Sequence, residues 1–159
     1  MTDERFVPAD FAVPDGLRGD EFRLVPLGPQ HNESDYAAWT GSIEHIRATP
    51  GFAGRSWPHE MSLQDNLRDL ERHAQDFADR RGFTYTVLGT ESGEVIGCVY
   101  IYPPEGQHRD GGTEGQPAAA VMSWVRADRA NLDRVLYDTV TAWLERAWPF
   151  GSIQYALRD

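Results

Sequence analysis

Three arginines crowd one short stretch, Trp124-Val125-Arg126-Ala127-Asp128-Arg129-Ala130-Asn131-Leu132-Asp133-Arg134, where a strand pattern runs into an amphipathic helix. The first amides of a helix lack intrahelical acceptors, and the helix dipole favours an anion beside them. Arg126, Arg129 and Arg134 could grip such an anion with paired N–H groups. Two features oppose this. The stretch has no glycine, so a ligand approaching the turn would meet Cβ atoms, and Asp128 and Asp133 bring negative charge to the same place. The plainer reading makes Asn131 an N-cap, Asp133 a partner of the dipole and the arginines a solvated face.

The other groups able to do chemistry are scattered. His59 and Glu60 fall in a loop between two helical patterns, and Glu105 and His108 follow an apolar strand. His59 and Glu105 are the candidates for a general base. A structural or surface role is the plainer reading for all five histidines, none of which has metal-ligand spacing, so no metal site is expected. The single cysteine, Cys98, sits in the apolar run VIGCVYIY and reads as a core thiol. Trp39, Trp57, Tyr85, Tyr100 and Tyr102 could line a cleft for an apolar substrate, although core packing explains most of them equally well. Trp57, between Gly54 and Pro58, is the best functional candidate of that group.

The chain has 159 residues, a formal charge of −10, and no lysine among its fifteen basic residues. Schiff-base chemistry and a phosphate-loop lysine are therefore excluded. The acid excess argues against nucleic acid and anionic membranes as partners. No leader or membrane-spanning stretch is visible, which suggests a cytoplasmic location.

Residues 1–21, rich in Pro, Gly and acids, suggest an irregular arm, leaving 22–159 as one domain. A strand is expected over Phe22–Leu27, confined by Pro26 to an edge or a bulge. A helix is expected over Glu33–Ala48, and a second opens at Ser62, with Asp65 close to a capping-box position. The second helix would bury Leu63, Leu67, Leu70, Ala74 and Phe77 and end at Gly82. Strands follow at 83–89, 94–102 and 118–125. A helix over about 131–148 and a last strand, SIQYALRD, complete the order β-α-α-β-β-β-α-β. The closing β-α-β should place the last two strands parallel in a mostly antiparallel sheet.

That order, with the strand FRLVPL, the helical DYAAWTGSIEHI, the hairpin FTYTVLGTESGEVIGCVYIYPP and its G-E-x-I-G phrase, and AAVMSWVRADRANLDRVLYDTVTAWLERAWPF, resembles the GCN5-related N-acetyltransferase (GNAT) superfamily. The resemblance covers residues 22–159. It implies a mixed α/β (α+β) fold and acetyl-CoA as co-substrate, with its pantetheine arm in a gap beside the strand Ser123, Trp124 and Val125. Arg126, Arg129, Asn131, Leu132 and Arg134 would hold its phosphates. Trp39, Trp57 and Tyr102 would receive a small-molecule or peptide amine. The sequence departs from the family at the joint, which lacks the family's glycines. It also lacks the helix and strands that usually follow, which often supply a tyrosine as general acid; Tyr155 lies on the last strand instead. Two functions stay open: an N-acyltransferase, or a catalytically silent binding module of the same fold. An exposed last strand would invite a second copy of the chain, or the N-terminal arm, to cover it.

Overall fold

In the computed structural model, which describes residues 6–104 and 117–158, six strands form one sheet in the order β1-β2-β3-β4-β5-β6. They are β1 (Leu17–Arg18), β2 (Phe22–Pro26), β3 (Phe83–Gly89), β4 (Val95–Tyr102), β5 (Ala118–Val125) and β6 (Ser152–Tyr155). Every neighbouring pair is antiparallel except β5 and β6. Helices α1 (Asn32–Thr40), α2 (Ile43–Arg47) and α3 (Leu63–Ala78) cover one face, and α4 (Asp133–Ala147) covers the other. β3 is buried throughout and β4 nearly so because both of their faces are covered; β4 is apolar almost throughout, whereas β3 places Thr84 and Thr86 on one buried face. No helix among the described residues is long and apolar enough to cross a membrane.

Several sequence expectations need correction. The helix expected over 33–48 is two helices, since the backbone bends at Gly41-Ser42 and Ser42 Oγ turns to accept the Ala127 N–H at 2.9 Å. The buried stripe of α3 is centred on Asn66 and Leu70, while Leu63 is exposed. Gly82 is not the α3 cap. Asp79 caps the helix, Arg80 takes the left-handed turn, and Gly82 lies flat under the Tyr102 ring, where a Cβ would collide. Pro26 is tolerated in an inner strand because its one outer neighbour, β1, ends before reaching it. The last strand stops at Tyr155. The N-terminal arm pairs with β2 at the opposite edge, so among the described residues it does not cover β6.

Ser62 does cap α3, its hydroxyl accepting the Asp65 N–H at 3.0 Å. Ser62→Ala should lower stability by about 1 kcal/mol, read as a shift in the urea midpoint at unchanged slope.

Candidate active site

Between the α1–α3 layer and the sheet lies a cavity of about 340 Å³. Its apolar wall includes Leu27, Phe52, Trp57, Met61, Leu70 and Met122, and its polar groups include Asp35, Asn66, Asp69 and His73. Trp57 is half-buried and stands between rings on three sides, with centroids 5.5 Å from Trp39, 6.0 Å from Phe52 and 6.1 Å from Trp124. Trp39 is wholly buried behind this wall and serves it through its indole N–H.

That N–H donates to Asn66 Oδ1 at 3.0 Å, which fixes the orientation of the Asn66 amide. The two protons of Nδ2 then go to Asn32 Oδ1 at 2.8 Å and Asp35 Oδ2 at 3.1 Å. Asp35 is 5% exposed, and it forms no salt bridge among the described residues. Burial pushes its carboxyl up to about 6; the Asn66 hydrogen bond opposes the rise and the charge of Asp69 adds to it. Arg55 and Arg72 line the same cavity, Arg72 paired with Asp69 at 2.9 Å, while among the described residues Asp35 accepts from Asn66 and keeps capacity for a further donor.

Across the cavity, Tyr102 Oη donates to Asp76 Oδ2 at 2.9 Å. Having spent its one proton there, the Tyr102 hydroxyl can only accept at its 2.9 Å contact with His73 Nδ1. The proton of neutral His73 therefore sits on Nδ1, leaving Nε2 as an acceptor. Burial, helped by the Arg72 charge and opposed by Asp69 and Asp76, pushes this imidazole down to about 4, so it is neutral at pH 7.

The expected site residues are dispersed across this architecture. Trp57 and His59 line the cavity, and Tyr102 reaches it through His73. Glu105 lies outside the described residues. Cys98 is buried, and its thiol is pushed well up by burial. Asp35, Asn66 and His73 escaped the sequence reading. The available signal was three polar residues on buried helix faces: Asp35 sits one turn from Trp39, and Asn66, Leu70 and His73 recur at helical spacing.

The second half of the site is the groove beside β5. β6 pairs with β5 only from Ala118 to Val121, so the strands part at Met122. The Arg126 N–H bonds to Ile96 O. By antiparallel alternation, Ser123 and Val125 therefore turn their backbone groups away from β4 and towards this gap. The Trp124 side chain is fully buried on the α1–α3 side.

The groove is already filled. The Arg158 side chain, 3% exposed, donates through Nε and Nη2 to Asp133 at 2.7 and 3.3 Å and through Nη2 to Ser123 O at 2.9 Å. The joint that precedes α4 is a 3₁₀ turn, Ala127–Leu132, kinked at Arg129. Ala127 N–H is held by Ser42, Arg129 N–H by Arg126 O, and Asp133 N–H by Ala130 O. Arg126 is clamped by Asp128 at 2.6 Å and Arg134 pairs with Asp138 at 3.2 Å. Arg129, Asn131 and Leu132 border a separate hollow with Asp20, Glu21 and Glu91. With Arg158 and Asp133 in place a pyrophosphate does not fit here: three amides are engaged, Arg126 and Arg134 are paired with aspartates, and carboxylates line the hollow beside Arg129.

No protein-family model matches the chain, and no curated protein does. Solved structures do match. The microcin C7 self-immunity acetyltransferase MccE, solved with acetyl-CoA and AMP, aligns at a TM-score of 0.60 and 13% identity over 87% of this chain and 71% of its own. The ribosomal L7/L12 α-N-protein acetyltransferase RimL aligns at 0.59 and 10% over 89% and 71%. The ribosomal-protein-S5-alanine acetyltransferase from Vibrio fischeri aligns at 0.59 and 10% over 83% and 68%. At these identities the likeness shows the fold alone, and it is the fold of a GNAT-family acetyltransferase from Bacillus anthracis as well, which aligns at 0.55 and 7% over 82% and 67%.

Proposed function

We propose that a chain with this fold and this pocket is an N-acyltransferase whose acceptor is a small primary amine with an apolar body. The observation that carries the reading is Asp35, a buried carboxylate that forms no salt bridge among the described residues, in a cavity whose wall is largely aromatic and aliphatic. An ammonium group supplies the missing charge, and Phe52, Trp57, Met61 and Met122 pack the rest of the molecule.

The chain's own residues have complementary tasks. Asp35 draws in and orients the amine. The bound ammonium first gives up one proton, to the Asp35 carboxylate or to solvent, which frees the lone pair that attacks. Neutral His73 then takes at Nε2 the second proton, made strongly acidic by the new C–N bond, and can pass it to the thiolate that departs as the C–S bond breaks. Tyr102 and Asp76 position His73 through Nδ1. An acyl thioester, coenzyme A's in this fold, would supply the acyl group.

Purified protein with acetyl-CoA should release free thiol in a manner that saturates with added primary amine; no amine-dependent release from any alkyl- or arylalkylamine sinks the proposal. His73→Asn should reduce kcat by about 10²–10⁴-fold with KM little changed. Tyr102→Phe should give a smaller loss in the same parameter. The competing reading, a silent amine-binding module, is favoured by the filled groove, and predicts amine binding with no thiol release.

A further inference from the structure

We infer that Arg158 is an occupant, supplied by the chain itself, of the groove this fold gives to its acyl donor, and that a donor enters only when Arg158 leaves. The inference rests on reading the β5–α4 groove as the donor's place.

The guanidinium is held as a ligand would be. It has five N–H groups, and each has an acceptor. Nε goes to Asp133 Oδ2. The Nη1 protons go to Ala156 O at 2.9 Å and Pro50 O at 3.3 Å. The Nη2 protons go to Ser123 O, with Ser123 Oγ at 3.3 Å, and to Asp133 Oδ1. Tyr137 and Tyr155 flank its carbon, with centroids 5.8 and 5.7 Å away. Tyr155 in turn closes the groove floor through a 2.6 Å hydrogen bond with Ser123 Oγ. A lysine, with three donors at a point, could not satisfy this set.

Two of these acceptors matter for exclusion. Ser123 O is a backbone group of the open β5 edge, the kind of partner an extended amide-bearing arm would use. Asp133 stands at the first residue of α4, where the helix dipole favours an anion, and its carboxylate already serves as that anion. Arg158 and Asp133 thus block the edge and the helix start together. The anchor also holds a short segment with little else to retain it. β6 ends at Tyr155, and Leu157 is 79% exposed.

Removing Arg158 alone would leave Asp133 to repel a phosphate, so the informative variant is Arg158→Ala/Asp133→Asn. Coenzyme A is titrated calorimetrically into wild type and variant, each checked for cooperative melting. The affinity is expected to rise at least tenfold in the variant; an equal or weaker affinity in a folded variant overturns the inference. Should the double variant fail to fold, the wild type still decides. Saturating coenzyme A should then accelerate amide hydrogen exchange at residues 156–158, and binding with unchanged exchange there overturns it. Tighter coenzyme binding without amine-dependent thiol release would sink the acyltransferase reading alone. Thiol release with unchanged affinity would sink the Arg158 inference alone.

Discussion

Asp35→Asn is expected to make the protein more stable and less able to bind an amine, both by large margins. Asp35 has its carboxyl pushed up to about 6, above the ordinary aspartate value of 3.8, because burial disfavours its charge. For an acid, a raised folded pKa means that the folded state holds the proton more tightly than the unfolded chain. Stability is therefore greatest below about 4 and is lost as pH rises through 6, by about 3 kcal/mol in total. Asparagine keeps the oxygen that accepts from Asn66 and never ionises. At pH 7.5 it should recover about 1–3 kcal/mol, seen as a thermal midpoint several degrees higher. At pH 3.5 the two proteins should melt together; a gain of equal size at both pH values would mean that the charge is not the cause. Amine affinity should fall about 10- to 100-fold, the worth of a charge-assisted hydrogen bond. In the wild type, affinity should fall about tenfold per pH unit below 6 and level off above it, and the variant should lack this slope.

The second large effect is expected at Gly97. In the G-E-x-I-G phrase, Gly93 has φ 72°, which suits glycine in the β3–β4 turn, whereas Gly97 serves a different need. A Cβ there would run into Trp124 O and press on Val125, both backbone-anchored parts of β5. Neither can swing aside as a flexible side chain would. Gly97→Ala should thus cost about 3 kcal/mol or more, with a midpoint drop of roughly ten degrees. The damage should centre on Ser123 to Val125, so hydrogen exchange should quicken there before it does in β2. A variant with wild-type stability would show that β5 is far more yielding than its packing suggests.

The fold was largely legible because periodicity reports burial. The apolar run of β4 and the regular face of α4 follow from what those residues must cover, and the order of elements follows from them. Local chemistry was legible where it acts over three or four residues, as at Ser62 and Asp65. The site was not, because its partners lie far apart in the chain. Asn66 reaches Asp35 across 31 residues and His73 reaches Tyr102 across 29. Nothing near His73 in sequence distinguishes it from a surface histidine. Arg158 was equally hidden: a basic residue near the end of the expected strand SIQYALRD reads as solvated, and only the early end of β6 and its parting from β5 give it a place to go.

The strand order has a consequence for how the molecule is assembled. Each strand from β1 to β5 lies beside the one that precedes it in the chain, so a sheet of five can grow in the sequence's own order. The longest wait falls between β2 and β3, where α1, α2 and α3 intervene, while β6 docks beside β5 after α4 alone. Such non-local pairings close their loops after local contacts such as the β3–β4 hairpin have formed. β6 is an edge strand held to β5 through four register pairs, so it can loosen at the groove mouth without disturbing the strands behind it.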